Sequence, residues 1–305
     1  MKLVYSDGYA ADLGSHVFPI QKYRLLKDRL VREGVAAVSD LLDPRPASDD
    51  DVLLVHEKAY LKKLKEGRLS PLEIGVSEIP FSPEVVGMFL LVSGGSLLAA
   101  RTALEDGVCV NLGGGFHHAF ADHGEGFCLL NDVAIAVSTL LAEAVISRAL
   151  IVDCDLHQGN GTAAVFAGRR DVFTFSIHQE NNYPLVKQKS GLDIGLADGT
   201  GGTEYNGRLA AALDEIVRAF GPDFVIYLAG ADPYEGDQLG ALRLSKEALK
   251  ERDKLVMRAS RENGIPLCAV LAGGYAWDVD DTVDIHYNTV VAALEIFGRS
   301  PGSSA

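Results

Sequence analysis

Cysteine is scarce in this chain and never closely paired: Cys109, Cys128, Cys154 and Cys268 stand far apart in apolar or glycine-rich surroundings. The absence of any C-x-x-C element excludes a zinc knuckle or a thioredoxin-like motif and leaves buried free thiols in a reducing compartment as the expectation. Positive charge is also short. Lys and Arg total 28 against 42 Asp and Glu, a formal charge of −14, whereas a broad nucleic-acid surface needs clustered cations. A basic peptide is still compatible, because an acidic rim attracts a lysine-bearing partner. The start, Met1-Lys-Leu-Val-Tyr-Ser-Asp7, lacks an apolar signal-peptide core, and no apolar run is expected to reach membrane-spanning length. Repeats, low-complexity tracts and linkers are missing as well. The expectation is a cytoplasmic protein without membrane or nucleic-acid partners, built as one domain over residues 1–298 with a flexible tail over residues 299–305.

What is present is a large apolar fraction, 48% of 305 residues, enough for one sizeable α/β core. Short apolar runs read as strands at Lys2–Tyr5, Val52–Val55, Val108–Leu112, Ala149–Asp153, Val172–Ile177, Asp223–Ala229 and Leu267–Ala272. Helical spacing falls at Tyr23–Glu33, His56–Lys65, Pro83–Leu104, Asn131–Leu141, Thr162–Phe166, Glu204–Phe220, Ser245–Asn263 and Thr282–Phe297. Residues 67–83 and Asn181–Gly202 read as loops, the second long enough to be functional. Strands this apolar need cover on both faces, so a mostly parallel sheet with helices on each side is predicted.

Four of these strands end in chemistry. Val108–Leu112 runs into Gly113-Gly-Gly-Phe-His-His118, and Ala149–Val152 into Asp153-Cys-Asp-Leu-His157. The other two end in Gly230-Ala-Asp232 and Gly273-Gly-Tyr275. In an open parallel sheet the C-terminal strand ends share one edge, so the four clusters should meet in one crevice. Along a strand Asp153, Asp155 and His157 point the same way, and burying three such groups without a cation or hydrogen bonds is costly. Taken alone, the triplet also fits a polar strand end with a hydrogen-bonded histidine. With Asp232 alongside, Asp155 and His157 make an open three-ligand metal site of catalytic type. His117 and His118 are then candidates for acid–base work, and Tyr275 for an oxyanion donor. His16, His56, His123, His178 and His286 lack comparable company and read as structural or surface groups.

Gly113-Gly-Gly-Phe-His-His-Ala119, Gly126-Phe-Cys-Leu-Leu-Asn-Asp132, Asp153-Cys-Asp-Leu-His-Gln-Gly-Asn-Gly161, Ala229-Gly-Ala-Asp-Pro233 and Gly273-Gly-Tyr275, in that order, resemble the zinc-dependent histone deacetylase family. The resemblance runs from about Ser6 to Phe297. Asn182-Tyr-Pro184 and Glu235-Gly-Asp-Gln-Leu-Gly240 are most similar to its class IV branch. The resemblance implies a three-layer arginase/deacetylase fold with a central, mostly parallel, eight-stranded sheet. It implies zinc, or iron(II) in the cell, on Asp155, His157 and Asp232. It implies catalytic roles for His117, His118, Tyr275, Asp153 and Asn160, with Asp153 orienting His117. A structural monovalent cation, usually potassium, is implied at the backbone carbonyls of Asp153, Asp155, His157, Ser176 and Ile177. Gly126 and Phe127 match one wall of an acyl-lysine tunnel, Tyr183 the opposing wall, and Gly273 and Gly274 further substrate contacts. Class I members carry aspartate where this chain has Asn160; an amide orients an imidazole without stabilising its cation, so His118 should be the less basic for it.

The implied reaction is metal-assisted removal of acetyl or longer acyl groups from lysine in proteins or peptides. Two other readings stand beside it: the same chemistry on a small acylated amine such as an acetylpolyamine, and a catalytically silent binder of acyl-lysine. A two-manganese ureohydrolase is disfavoured, because no second Asp-x-Asp pair accompanies Asp232.

Overall fold

The computed structural model describes residues 1–298; the expected tail, residues 299–305, lies outside the described residues. Among the described residues there are eight strands: β1 (Lys2–Val4), β2 (Leu41–Leu42), β3 (Val108–Asn111), β4 (Ala149–Asp153), β5 (Val172–Gln179), β6 (Leu192–Leu196), β7 (Phe224–Leu228) and β8 (Leu267–Val270). They form one sheet in the order β2-β1-β3-β8-β7-β4-β5-β6, and every adjacent pair is parallel. The central strands β3, β4, β7 and β8 are buried along their whole length, as a sheet covered on both faces requires.

The helices are α1 (Lys22–Arg32), α2 (Asp49–Val52), α3 (Lys58–Lys65), α4 (Pro71–Ser77), α5 (Pro83–Asp106), α6 (Asp132–Ala142), α7 (Asn160–Val165), α8 (Gly202–Phe220), α9 (Lys246–Glu262) and α10 (Val279–Phe297). One helical layer pairs α5 with α6, α5 lying along β1, β3 and β8. The other runs α1, α10, α9, α8 in packing order. The 24-residue α5 corrects one expectation, for it is long and apolar enough to cross a bilayer. In this fold 67% of its most apolar window is buried against the sheet and α6.

Three other expectations fail locally, each because a short-range signal was outweighed. Val52–Val55, expected as a strand, is the end of α2 and the turn after it: the Ser48 hydroxyl caps Asp51 N at 3.1 Å and Asp51 reaches back to Ser48 N at 3.2 Å. Residues 67–83 contain α4, where Ser70 and Glu73 make the same reciprocal box and Pro71 occupies the first helical position, which suits it. The loop expected at Asn181–Gly202 contains β6, an edge strand whose side chains are mostly part-exposed and so carry no core signature.

One buried ion pair ties the second helical layer to the sheet. Arg252 and Asp253 of α9 are both fully buried. Arg252 donates to Asp253 Oδ1 from Nε at 3.0 Å and Nη2 at 2.8 Å, and from Nη1 to Gly230 O at 2.6 Å and Cys154 O at 3.2 Å. Asp253 also accepts from Tyr227 of β7 at 2.5 Å and Thr289 of α10 at 2.6 Å. The arginine thus anchors the chain just past the ends of β4 and β7. Removing one partner of such a pair strands a buried charge, so Arg252→Leu is expected to destabilise the fold by about 3–5 kcal/mol. Urea denaturation reads this, and the double change Arg252→Leu/Asp253→Leu should be the milder one.

Candidate active site

The four chemical strand ends belong to neighbours in the sheet, β3, β8, β7 and β4, which puts their clusters side by side. The loop after β3 is held from below by Asp132 at the start of α6. Its carboxylate accepts from Gly115 N at 3.0 Å, Phe116 N at 2.7 Å and Ser96 Oγ at 2.5 Å. From the other side Thr162 N donates to His117 O at 3.0 Å, and Asn131 Nδ2 to Ala119 O at 3.1 Å. The tandem histidines therefore leave a clamped loop, both rings buried and 4.1 Å apart.

Asp155, His157 and Asp232 converge from the ends of β4 and β7. One ligand atom from each lies within 4.8 Å of the other two, and all three residues are buried. His157 Nδ1 stands 3.1 Å from Asp155 Oδ1 and 3.4 Å from Asp232 Oδ2. The remaining oxygens are oriented by backbone donors: Leu156 N to Asp232 Oδ1 at 2.9 Å, and Gly273 N to Asp155 Oδ2 at 2.8 Å. Among the described residues Asp232 Oδ2 has no hydrogen-bond partner although wholly buried. Burial, and then the charge of Asp155, raise the Asp232 carboxyl to about 6. Burial works against a charge on His157 too, yet Asp155 and Asp232 lift it to about 10. The site thus calls for a cation, and its one nitrogen and two carboxylates suit a divalent ion of the zinc or iron(II) type.

The two histidines beside it sit in opposite environments. His117 Nδ1 pairs with Asp153 Oδ2 at 2.7 Å. Burial opposes its charge, but Asp153 and then Asp155 outweigh it and carry the ring to about 9. His118 Nδ1 meets Asn160 Oδ1 at 2.7 Å, and burial, then the neighbouring His117 and His157, hold it well below its usual pKa. Adjacent rings are therefore divided into a charged one and a neutral one.

Above them a pocket of about 190 Å³ is lined by Phe127 and Tyr183 as walls and by His118, His157 and Tyr275 below, with Glu78, Asn182 and Leu239 completing it. Gly126 lets the walls close in: it is left-handed (φ 52°), and a Cβ there would stand 2.8 Å from both His118 Cδ2 and Tyr183 Cε1. The Tyr183 ring is 5.0 Å from His118, and Phe127 is 5.9 Å from Tyr275. Tyr275 is fixed through its backbone N–H, which donates to Asp237 at 2.7 Å, and burial pushes its hydroxyl pKa well up.

Not every expected site residue reaches this pocket. Gly273 and Gly274 do not line it; Gly273 lies against the metal-site carboxylates and Gly274 against Ala231 and Thr282. Ser176 and Ile177 are buried on β5, with Ser176 opposite Asp153 in the ladder. Several neighbours of the site were not singled out from the chain by residue. His16, expected to be structural, packs edge-on to Phe127 at 4.6 Å and bonds Glu78 O at 2.7 Å. Lys22 is wholly buried near the Tyr275 ring, gives its Nζ to Ala272 O at 2.8 Å, and is held by burial down to about 8. Asp237, inside the Glu235–Gly240 segment, is raised by burial to about 7. Glu125 accepts from Asn160 and Tyr183. Such roles have no local signature, because each partner is distant in the chain.

Comparison with known proteins points to one family. The family described as "Histone deacetylase domain" matches residues 16–290. An uncharacterized protein of Picosynechococcus sp. is 39% identical over 97% of this chain and 99% of its own length. Histone deacetylase 2 of Arabidopsis thaliana is 33% identical over 90% of this chain and 74% of its own. Among solved structures, the HDA15 HD domain superposes with a TM-score of 0.77 at 21% identity, covering 97% of this chain and 95% of that one.

The packing of Gly273 yields a direct test of the metal site. A methyl group there would overlap Asp232 Oδ2 and approach Asp155 Oδ2 to 2.7 Å, while the backbone angle itself suits any residue. Gly273→Ala is expected to weaken zinc binding by roughly 10–100-fold with little change in circular dichroism. Titration calorimetry on the metal-stripped protein reads it, and an unaltered affinity would place the metal elsewhere.

Proposed function

The chain belongs to the histone deacetylase family, and on that premise we propose that it is a metal-dependent amidohydrolase, closest to class IV, that removes acyl groups from lysine side chains of proteins or peptides. The observation that carries this is the buried Asp155–His157–Asp232 cluster, whose His157 lines a narrow, aromatic-walled pocket together with His118 and Tyr275. Such walls admit an unbranched acyl-lysine stem and exclude bulkier groups. Asp155, His157 and Asp232 would hold zinc, or iron(II) in the cell, which would supply Lewis acidity for the acyl carbonyl and the attacking water.

The protein's own groups do the rest. His118, kept neutral by burial, takes the water's proton at Nε2, since its Nδ1 is engaged by Asn160. It then returns that proton to the leaving amine. His117, with Asp153 at 2.7 Å, holds a positive charge beside the reacting centre. The Tyr275 hydroxyl stays protonated across the neutral range and donates to the developing oxyanion. Potassium on the carbonyls of Asp153, Asp155, His157, Ser176 and Ile177 belongs to the same proposal.

Glu78 at the pocket favours a substrate that carries positive charge. That feature serves a lysine peptide and an acetylpolyamine alike. The deciding experiment is a turnover assay of the zinc-loaded protein on lysine peptides bearing acetyl through myristoyl groups, with acetylpolyamines in parallel. Preferred hydrolysis of the peptides supports the proposal, preference for the polyamines replaces the substrate class, and inertness toward all of them leaves a silent binder. Within an active panel, Tyr275→Phe should lower kcat by roughly 10²–10³, and equal turnover in that variant would remove the tyrosine from the mechanism.

A further inference from the structure

Asn160 presents a problem that an aspartate would not. A carboxylate can accept from a histidine N–H with either oxygen, but an amide has one accepting end and one donating end. Turned the wrong way, Asn160 would offer its NH₂ to His118 Nδ1, and the ring would have to carry its proton on Nε2. The nitrogen that faces the reaction would then have no free lone pair. Something must set the amide's direction.

Glu125 does so by position and by chemistry. It is pinned in a tight turn by Glu125 N to Cys128 O at 3.0 Å and Cys128 N to Glu125 O at 2.9 Å. Its Oε1 accepts from Asn160 Nδ2 at 2.6 Å and from Tyr183 Oη at 3.0 Å, while Oε2 lies 3.6 Å from His123 Nε2. A carboxylate only accepts, so Asn160 must aim its NH₂ at Glu125. Its Oδ1 is thereby aimed at His118 Nδ1, 2.7 Å away. An amide oxygen also only accepts, so Nδ1 must bear the hydrogen and Nε2 keeps its lone pair.

We infer that Glu125 is a positioning residue: it sets the direction of the Asn160 amide, through it the tautomer of His118, and it locks the Tyr183 wall to the same oxygen. The inference rests on the reading of His118 as the base. It identifies where the chain recovers what asparagine loses against aspartate, a fixed acceptor for the base, one residue further out.

The test uses the zinc-loaded, full-length protein and an acyl-lysine peptide. Glu125→Ala is expected to lower kcat by roughly 10–100-fold, and Glu125→Gln, which keeps an accepting oxygen, to retain most of it. Tyr183→Phe removes only the other hydrogen bond to Glu125 and should act mainly on KM. In an Asn160→Asp background Glu125→Ala should cost little, because a carboxylate at 160 accepts from Nδ1 in either orientation. Equal losses in both backgrounds would overturn the proposal and reduce Glu125 to a structural role. A second readout is independent of turnover: long-range ¹H–¹⁵N NMR, with His118→Ala for assignment, should show the Nδ1–H tautomer in the parent and its erosion in Glu125→Ala. An unchanged tautomer overturns the proposal even if activity falls. Inertness of the parent toward every substrate would count against the proposed function instead, with the tautomer still deciding the part played by Glu125.

Discussion

The fold depends on what it takes to keep carboxylates buried at the ends of adjacent strands. Asp153, Asp155 and Asp232 are all buried, and Asp155 and Asp232 share a single imidazole. Such a cluster persists only if the backbone that carries it cannot relax. Arg252 supplies that constraint. From α9 it holds Cys154 O, between two of the aspartates, and Gly230 O, two residues before the third. Its charge is answered by Asp253, which α10 and β7 hydrogen-bond in turn. The segments just past β4 and β7 are thus held by one ion pair that takes no part in lining the pocket.

The same logic of paired and unpaired charge divides the tandem histidines. Two identical rings 4.1 Å apart would compete for one proton if their partners were equal. Asp153 behind His117 and the amide of Asn160 behind His118 make them unequal. One ring is kept as a fixed charge and the other as a neutral group free to accept. The clamp on their loop, through Asp132, matters because that division holds only while each ring faces its own partner.

The central part of this arrangement was legible in the chain. Strands such as Ala149–Asp153 and Phe224–Leu228 are buried on both faces, so they are unbroken apolar runs, and the polar groups just beyond them stand out. The edges were not legible. Leu41–Leu42 and Leu192–Leu196 border the sheet, where exposed side chains erase the core pattern. The short helices at Asp49 and Pro71 were hidden for a different reason: their capping boxes sit among acidic residues and prolines that read equally well as loop.

Composition and motif order by themselves determined the class of fold and the residue types at its chemical edge, because a buried apolar strand that runs into Asp, His or Tyr must give those polar groups partners at its end. That these residues meet at one edge was also expected from the chain; only the tertiary structure decided which strand end lies beside which. The order β3-β8-β7-β4 makes neighbours of His117, Tyr275, Asp232 and Asp155, and that order comes from crossovers no local pattern encodes. The partners that tune the site were decided there as well. Arg252 sits on a helix otherwise rich in exposed charge, and Glu125 lies in a turn of ordinary composition. Each acquires its role from groups dozens of residues away, which chain folding alone brings within hydrogen-bonding distance.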